Sequence, residues 1–295
     1  MLKADGMRHT VRVIAAALLF ASSAFGGERT LLYPTVVETG VNLVGDGKWI
    51  YPSGDPPKFT AEETSGGPFD TTAPAWKLCL STPGGAYWRH SVKVAKGHTY
   101  LMGAWLQIDN TTIAIRGSAR NPSNGRVLED RVYLYGGFNK FLKPYFSERM
   151  QTRIIGDPKA WKLCYRLVSY PDGTVGDNVS MSVGIYLATG GITFANPFFI
   201  DVTGLADRSL TVDVAGTRPF KRLDVVATGI GDVVWSQDFP QTATTFKGVV
   251  PASAADFTRG LTDTLIEGHT LVITYVDGTV KSVHAPQEKT RTTRE

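Results

Sequence analysis

The chain is poor in cysteine, has no strong excess of either charge, and carries no long apolar run beyond its first residues. Two cysteines in 295 residues, Cys79 and Cys164, are too few for a disulfide-built scaffold. A formal charge of +4 is no footprint for nucleic acid, and no basic stripe with interleaved aromatics makes up for it. After Phe25 no stretch is apolar enough to cross a bilayer, so no membrane span is expected. The later histidines, His90, His98, His269 and His284, show no metal-ligand spacing. Neither a Gly-x-Ser-x-Gly elbow nor a phosphate-cradling glycine loop is present. These absences argue against nucleic-acid partners and against most catalytic classes. Only Glu62, Glu63, Glu129 and Asp130 keep an enzyme in view, as carboxylates that could meet in space around a glycosidic bond.

What is present begins with an export signal. Arg8 and Arg12 precede an uncharged run from Val13 to Phe25, which ends in the small residues Ala21-Ser22-Ser23-Ala24 and Gly26. That order predicts a signal peptide over 1–26 and a secreted, periplasmic or cell-surface protein. Removal leaves roughly 270 residues, enough for one large or two ordinary domains. Export permits a bridge between Cys79 and Cys164, but the sequence cannot bring their Cα atoms within bonding range, so it leaves the bridge open.

Glycine at 31 residues, proline at 16 and aromatics at 11% favour many short strands joined by turns. Trp76 to Leu80 alternates and ends at Pro83-Gly84-Gly85. Trp88 to Val94 alternates again, and Tyr100 to Ile108 is almost continuously apolar, as a strand covered on both faces would be. Val132 to Tyr135 is short and aromatic, whereas Phe138 to Ile155, broken by Pro144, reads as an irregular excursion. Trp161 to Val168 alternates strictly, and Val179 to Leu187 and Phe198 to Val202 read as two strands separated by a turn at Gly190-Gly191. Past Gly204 the texture changes to short strands with regular turns, including a hairpin signal at Asp277-Gly278. The expectation is all-β: a jelly-roll sandwich over 27–203, able to fold alone, a smaller immunoglobulin-like sandwich over 204–286, and a disordered tail over 287–295.

The order of these signals resembles the family 4/9 type of carbohydrate-binding module, a galactose-binding-like jelly roll. Asn42-Leu43 with Trp49 is similar to its opening strand. Trp88 to Val94 followed by Gly97-His98-Thr99-Tyr100 and the run to Trp105 is similar to its aromatic-led strand, turn and core strand. Trp161-Lys162-Leu163 resembles a later strand, and Phe198-Phe199-Ile200-Asp201-Val202 the closing one. The resemblance spans about 40–203 and implies sugar binding. It also implies a structural Ca²⁺ held at Asp201; no other cofactor is expected. Asp46 is the acidic residue nearest the opening asparagine.

Sugar rings offer apolar C–H faces to aromatic planes and hydroxyls to amides and guanidinium groups. Trp88, Trp105, Gln107, Arg116, Tyr133, Tyr135, Phe138 and Tyr145 are the candidate ligand-binding residues. In a sandwich most aromatics fill the core, and for Trp88 and Trp105 that reading competes directly. Tyr133, Tyr135, Phe138 and Tyr145 flank the irregular excursion, where exposure is expected. The functional expectation is a non-catalytic protein that binds a polysaccharide or glycan. The alternatives are a structural component of a surface assembly, with other surface proteins as partners, and a polysaccharide-active enzyme.

Overall fold

The structure, a computed structural model, describes residues 28–45, 49–53, 59–109, 132–138, 147–152, 161–169, 178–227, 231–258 and 268–285. The leader at 1–26, Asp46, Arg116, Glu129, Asp130, Tyr145 and the tail at 287–295 lie outside the described residues. Strand β1 (Arg29–Pro34) and a single helical turn α1 (Val36–Thr39) are followed by β2 (Ile50–Ser53), β3 (Phe59–Ser65), β4 (Pro74–Lys93) and β5 (Thr99–Asp109). Next come β6 (Val132–Phe138), β7 (Ser147–Thr152), β8 (Lys162–Ser169) and β9 (Asn178–Asp201). The remaining strands are β10 (Leu210–Ala215), β11 (Phe220–Ala227), β12 (Val233–Asp238), β13 (Thr245–Val250), β14 (His269–Tyr275) and β15 (Val280–Ala285).

The long strands β4 and β9 build a jelly roll by serving both of its layers. Their register runs antiparallel from Ala75↔Ala195 to Lys93↔Asn178, with shifts around Leu80 and Gly84. On one side of that break the sheet order is β3–β4–β9–β5–β8, called here the first sheet. On the other side β4 and β9 continue into a second sheet ordered β2–β4–β9–β6–β7. The glycines expected to end strands instead let them bend from one layer into the next. Gly190, with φ of +117°, sits at that bend, where a side chain would be strained. Between the layers, Trp49, Leu78, Trp88, Val92, Met102, Leu106, Cys164, Met181 and Phe194 form one buried cluster.

The rest of the chain is a second sandwich of a three-stranded sheet, β1–β10–β13, on a four-stranded one, β12–β11–β14–β15. Three strands on four is the immunoglobulin-like arrangement. The predicted hairpin is there: Gly278 takes φ of +85° and Tyr275 N donates to Thr279 O at 2.9 Å. One boundary needs correction. Strand β1 pairs with β10 throughout, from Arg29↔Ala215 to Pro34↔Leu210, so it belongs to the second sandwich although it precedes the jelly roll. Its burial on both faces explains why its sequence, Leu31-Leu32-Tyr33, shows no alternation.

The two sandwiches share a core. Leu32 lies opposite Val212 and faces the second sandwich's interior, whereas Tyr33 turns the other way and meets Trp105 edge-on with centroids 5.8 Å apart. Leu101, Trp105, Leu163, Tyr165, Phe198 and Ile200, on the outer face of the first sheet, fall in one cluster with Val212, Phe220, Leu223 and Ile273. That is why β5 reads as a continuous apolar run: Tyr100 to Leu106 are all buried, alternating between two cores. At the seam Thr35 Oγ1 accepts hydrogen bonds from Ser209 Oγ at 2.9 Å and Thr211 Oγ1 at 3.0 Å, so the buried hydroxyls are paired.

Candidate functional site

A jelly roll has two outward faces, and here the second sandwich takes one of them. The other, the outer face of the second sheet, follows from strict alternation along β4. Ala86, Trp88 and Val92 point into the core, so Tyr87, Arg89, Ser91 and Lys93 point out. Tyr87, Ser91 and Lys93 are exposed, and Arg89 is half-buried with its guanidinium carbon 5.6 Å from the Tyr87 ring centroid.

Register carries this face across the neighbouring strands, because residues directly opposite each other share a side of the sheet. Tyr87 lies opposite Gly184, which lies opposite Tyr133. Arg89 lies opposite Ser182, which lies opposite Tyr135, which lies opposite Arg149. From Ser180 to Gly184 the outward positions of the middle strand are therefore small, between two aromatic-bearing strands. Gly184 is required there: a Cβ at that position would sit 2.4 Å from the Tyr87 Cβ and 2.2 Å from the Ala86 carbonyl oxygen. The result is a track with a low floor, flanked by tyrosine positions on both sides.

The candidates named from sequence divide sharply. Trp88 is 2% exposed, packs in the jelly-roll core and donates from Nε1 to Lys77 O at 3.2 Å. Trp105 is 1% exposed and closes an aromatic cluster with Tyr33, Phe69 and Phe198. Both tryptophans are corrected to core residues, Trp105 also bordering a cavity at the seam between the sandwiches. Gln107 lies opposite Thr193 in the first sheet, away from the track. Phe138 lies opposite Val179, a core residue, so its register position is on the inner face, unlike that of Tyr133 and Tyr135. Arg116 and Tyr145 fall outside the described residues. Tyr87, an aromatic the sequence places beside a turn, is on this face, whereas Arg89, Ser182 and Gly184 were not chosen from sequence. The signal that could have found Arg89 is the Trp88–Val94 alternation, read for its outward half.

The other expected features resolve differently. Cys79 and Cys164 are not joined in a disulfide. They sit on β4 and β8, which β9 and β5 separate in the first sheet, a distance of roughly 14 Å at ordinary strand spacing. Cys164 points into the core cluster, whereas Cys79, between inward Leu78 and Leu80, points away, so no bridge can form. At Asp201, Oδ2 accepts from His98 Nδ1 at 2.6 Å and Oδ1 accepts from Thr203 N at 2.9 Å. Burial works against ionisation, but these hydrogen bonds outweigh it and hold the carboxyl below its usual range. Asn42 Oδ1 is likewise occupied, by the backbone N–H groups of Val44 and Phe199. Calcium takes about six to eight oxygen ligands. No group of three or more His, Cys, Asp or Glu side chains among the described residues is placed to hold a metal. Asp46, the acidic residue expected nearest the opening asparagine, lies outside the described residues. Of the carboxylates, Glu62 pairs with Lys77 at 3.6 Å, and neighbouring Glu63 falls on the opposite face of β3.

A second concavity, of about 250 Å³, lies at the seam between the sandwiches and is lined by Val37, Glu38, Phe69, Asn196 and Pro197 among others. Its carboxylate, Glu38, already accepts from Tyr33 Oη at 2.8 Å and Lys247 Nζ at 2.5 Å, whereas Asn196 Oδ1 is buried there with no donor among the described residues.

No protein-family model matches the chain, and no curated protein does. Among solved structures, similarity extends to the enzymatically active domain of tailspike protein 4 of bacteriophage CBA120, at 14% identity and a TM-score of 0.37 over 55% of this chain. The chain spans 21% of that protein's length. A family 4 carbohydrate-binding module is 14% identical with a TM-score of 0.34, over 55% of this chain and 92% of the module. A xylan-binding family 22 module from Paenibacillus barcinonensis is 10% identical with a TM-score of 0.33, over 61% of this chain and 99% of the module. Modules of families 16 and 61 are also among the similar structures. The described residues contain no helix long and apolar enough to cross a membrane.

Proposed function

We propose that this chain is an exported, non-catalytic protein that binds a polysaccharide across the outer face of the second sheet of its jelly roll. The observation that carries the reading is the division of the two outer faces. One is sealed by a shared core with Trp105 at its centre, and the other bears exposed Tyr87 and the register positions of Tyr133 and Tyr135 on either side of Gly184 and Ser182. Loops and faces held by a rigid sandwich are where recognition concentrates, and flat aromatic platforms suit the C–H faces of sugar rings. The sequence resemblance to the family 4/9 modules supports the same reading.

The test is a three-way comparison on glycan retention and melting. Tyr87→Ala and Tyr135→Ala are expected to weaken retention of the wild-type glycan at least tenfold with the melting temperature nearly unchanged. Phe138→Ala, at an inward register position, is expected to lower stability by about 3–5 kcal/mol. Wild-type retention by both tyrosine variants would remove the track as the binding surface.

A further inference from the structure

The charge on the track is one-sided. The outward register positions of the second sheet are Ile50 and Ser53 on β2, Tyr87, Arg89, Ser91 and Lys93 on β4, and Asn178, Ser180, Ser182, Gly184 and Tyr186 on β9. They continue with Tyr133, Tyr135 and Gly137 on β6, and Ser147, Arg149 and Gln151 on β7. None of these positions is Asp or Glu, while Arg89, Lys93 and Arg149 are basic. A surface chosen only for solubility mixes both signs, as the second sandwich does where Arg222 meets Asp224 and Asp238.

Arg89 is the decisive residue. It is half-buried beside Tyr87, and its Nε is enclosed without an acceptor among the described residues. An enclosed guanidinium normally has a carboxylate or carbonyl partner, because an unmet charged donor is costly. Arg89 lies in one transverse row with Ser182, Tyr135 and Arg149. Three strand spacings set the two arginine positions roughly 14 Å apart. That separation exceeds the reach of one small anion and suits charges repeated along an extended polymer.

We infer that the track selects acidic polysaccharides, with Arg89 receiving a sugar carboxylate while the tyrosine positions receive the rings. The inference rests on the proposed glycan-binding role of this face and narrows its ligand class. Arginine presents a planar fork of N–H donors that matches a carboxylate in two hydrogen bonds, a geometry lysine cannot reproduce. Uronic acid chains carry one such carboxylate per acidic sugar and no net hydrophobic tail, as an open, partly aromatic sheet face requires.

The experiment uses the full exported chain and measures retention by affinity electrophoresis and titration calorimetry. The probes are polygalacturonate, alginate and hyaluronan, each beside its fully methyl-esterified counterpart, with dextran sulfate as a polyanion lacking carboxylates. Stronger retention, at least tenfold, on one or more of the acids than on the matching ester is expected. Arg89→Gln should remove that preference with an unchanged melting temperature, and Arg89→Lys should restore only part of it. Equal retention of acid and ester, or a preference that survives Arg89→Gln, overturns acid selection while leaving glycan binding standing. Retention on dextran sulfate equal to that on the carboxylated chains overturns the assignment of carboxylate as the recognised group. Absence of retention on every polysaccharide, acidic or esterified, overturns the glycan-binding reading as well.

Discussion

Trp105 and Tyr87 lie on the same jelly roll and have opposite fates, decided by what covers the face each belongs to. Trp105 meets Phe69 at 4.8 Å and Tyr33 at 5.8 Å between ring centroids, both near-perpendicular, and is 1% exposed where it borders the seam cavity. Replacing it by alanine is expected to lower unfolding free energy by about 3–5 kcal/mol, as denaturant melting would read out, because the surrounding rings cannot close the void. A loss under about 1 kcal/mol would show that the rings around it are not packed as described. Alternation in the sequence tells which residues share a face. It does not tell which face another sheet will cover, and this is why Trp88 and Trp105 stayed among the ligand candidates although the core reading already competed for them. Arg89 was missed for a related reason: a charged residue between core positions reads as ordinary solvated surface until the neighbouring strands show that no acid accompanies it.

Among the elements, hairpin β14–β15 was the most legible, since Asp277-Gly278 specifies its turn locally. Asp277 Oδ1 accepts from Thr279 Oγ1 at 2.7 Å and Thr279 N at 3.0 Å, and Oδ2 accepts from Arg218 Nη2 at 2.8 Å. The Thr279 bonds first, then Arg218, depress its pKa to about 2. A depressed carboxyl stabilises the folded state fully above its unfolded pKa, near the ordinary value of 3.8, and that contribution is lost as pH falls toward 2. An NMR titration of the Asp277 side chain should show a midpoint near 2, moving up toward 3.8 in Thr279→Ala. A wild-type midpoint already near 3.8 would mean the turn does not hold this geometry. Strands β4 and β9 were legible only in halves. Pro83-Gly84-Gly85 and Gly190-Gly191 carry turn chemistry, and sequence alone cannot distinguish a chain reversal from a bend that carries a strand between layers. Strand β7, Ser-Glu-Arg-Met-Gln-Thr, shows no apolar alternation, and among the described residues it pairs with β6 alone. Its register is set by that partner and not by its own pattern.

At the scale of the whole molecule, the shared core changes what a domain boundary near Gly204 means. A fragment of residues 27–203 would expose Leu101, Trp105, Leu163, Tyr165, Phe198 and Ile200 together and leave β1 without β10. An apolar patch of that kind drives association. The fragment is therefore expected to self-associate and to lose the cooperative melting of the full chain, as size-exclusion chromatography and calorimetry would check. A monomeric fragment with a sharp transition would show that the two sandwiches are energetically independent. The change of texture at Gly204 was visible in the sequence, but the partner of β1 was not, since nothing in a six-residue apolar strand names a strand so far along the chain.

The pairing of β1 with β10 also orders events in time. The jelly roll is an insertion between the first and second strands of the other sandwich, so Arg29 must wait for Ala215 before its ladder can close. Closing so long a loop is slow while the intervening chain is unfolded, and much easier once that chain has condensed and drawn its ends together. The jelly roll should therefore collapse first, with its sticky outer sheet waiting for cover, and the final docking of β1 should be the slow step. A chain emerging from the ribosome meets this problem in the order of its synthesis. Its aggregation hazard is greatest in the interval after β9 has emerged and before β10 to β15 have followed.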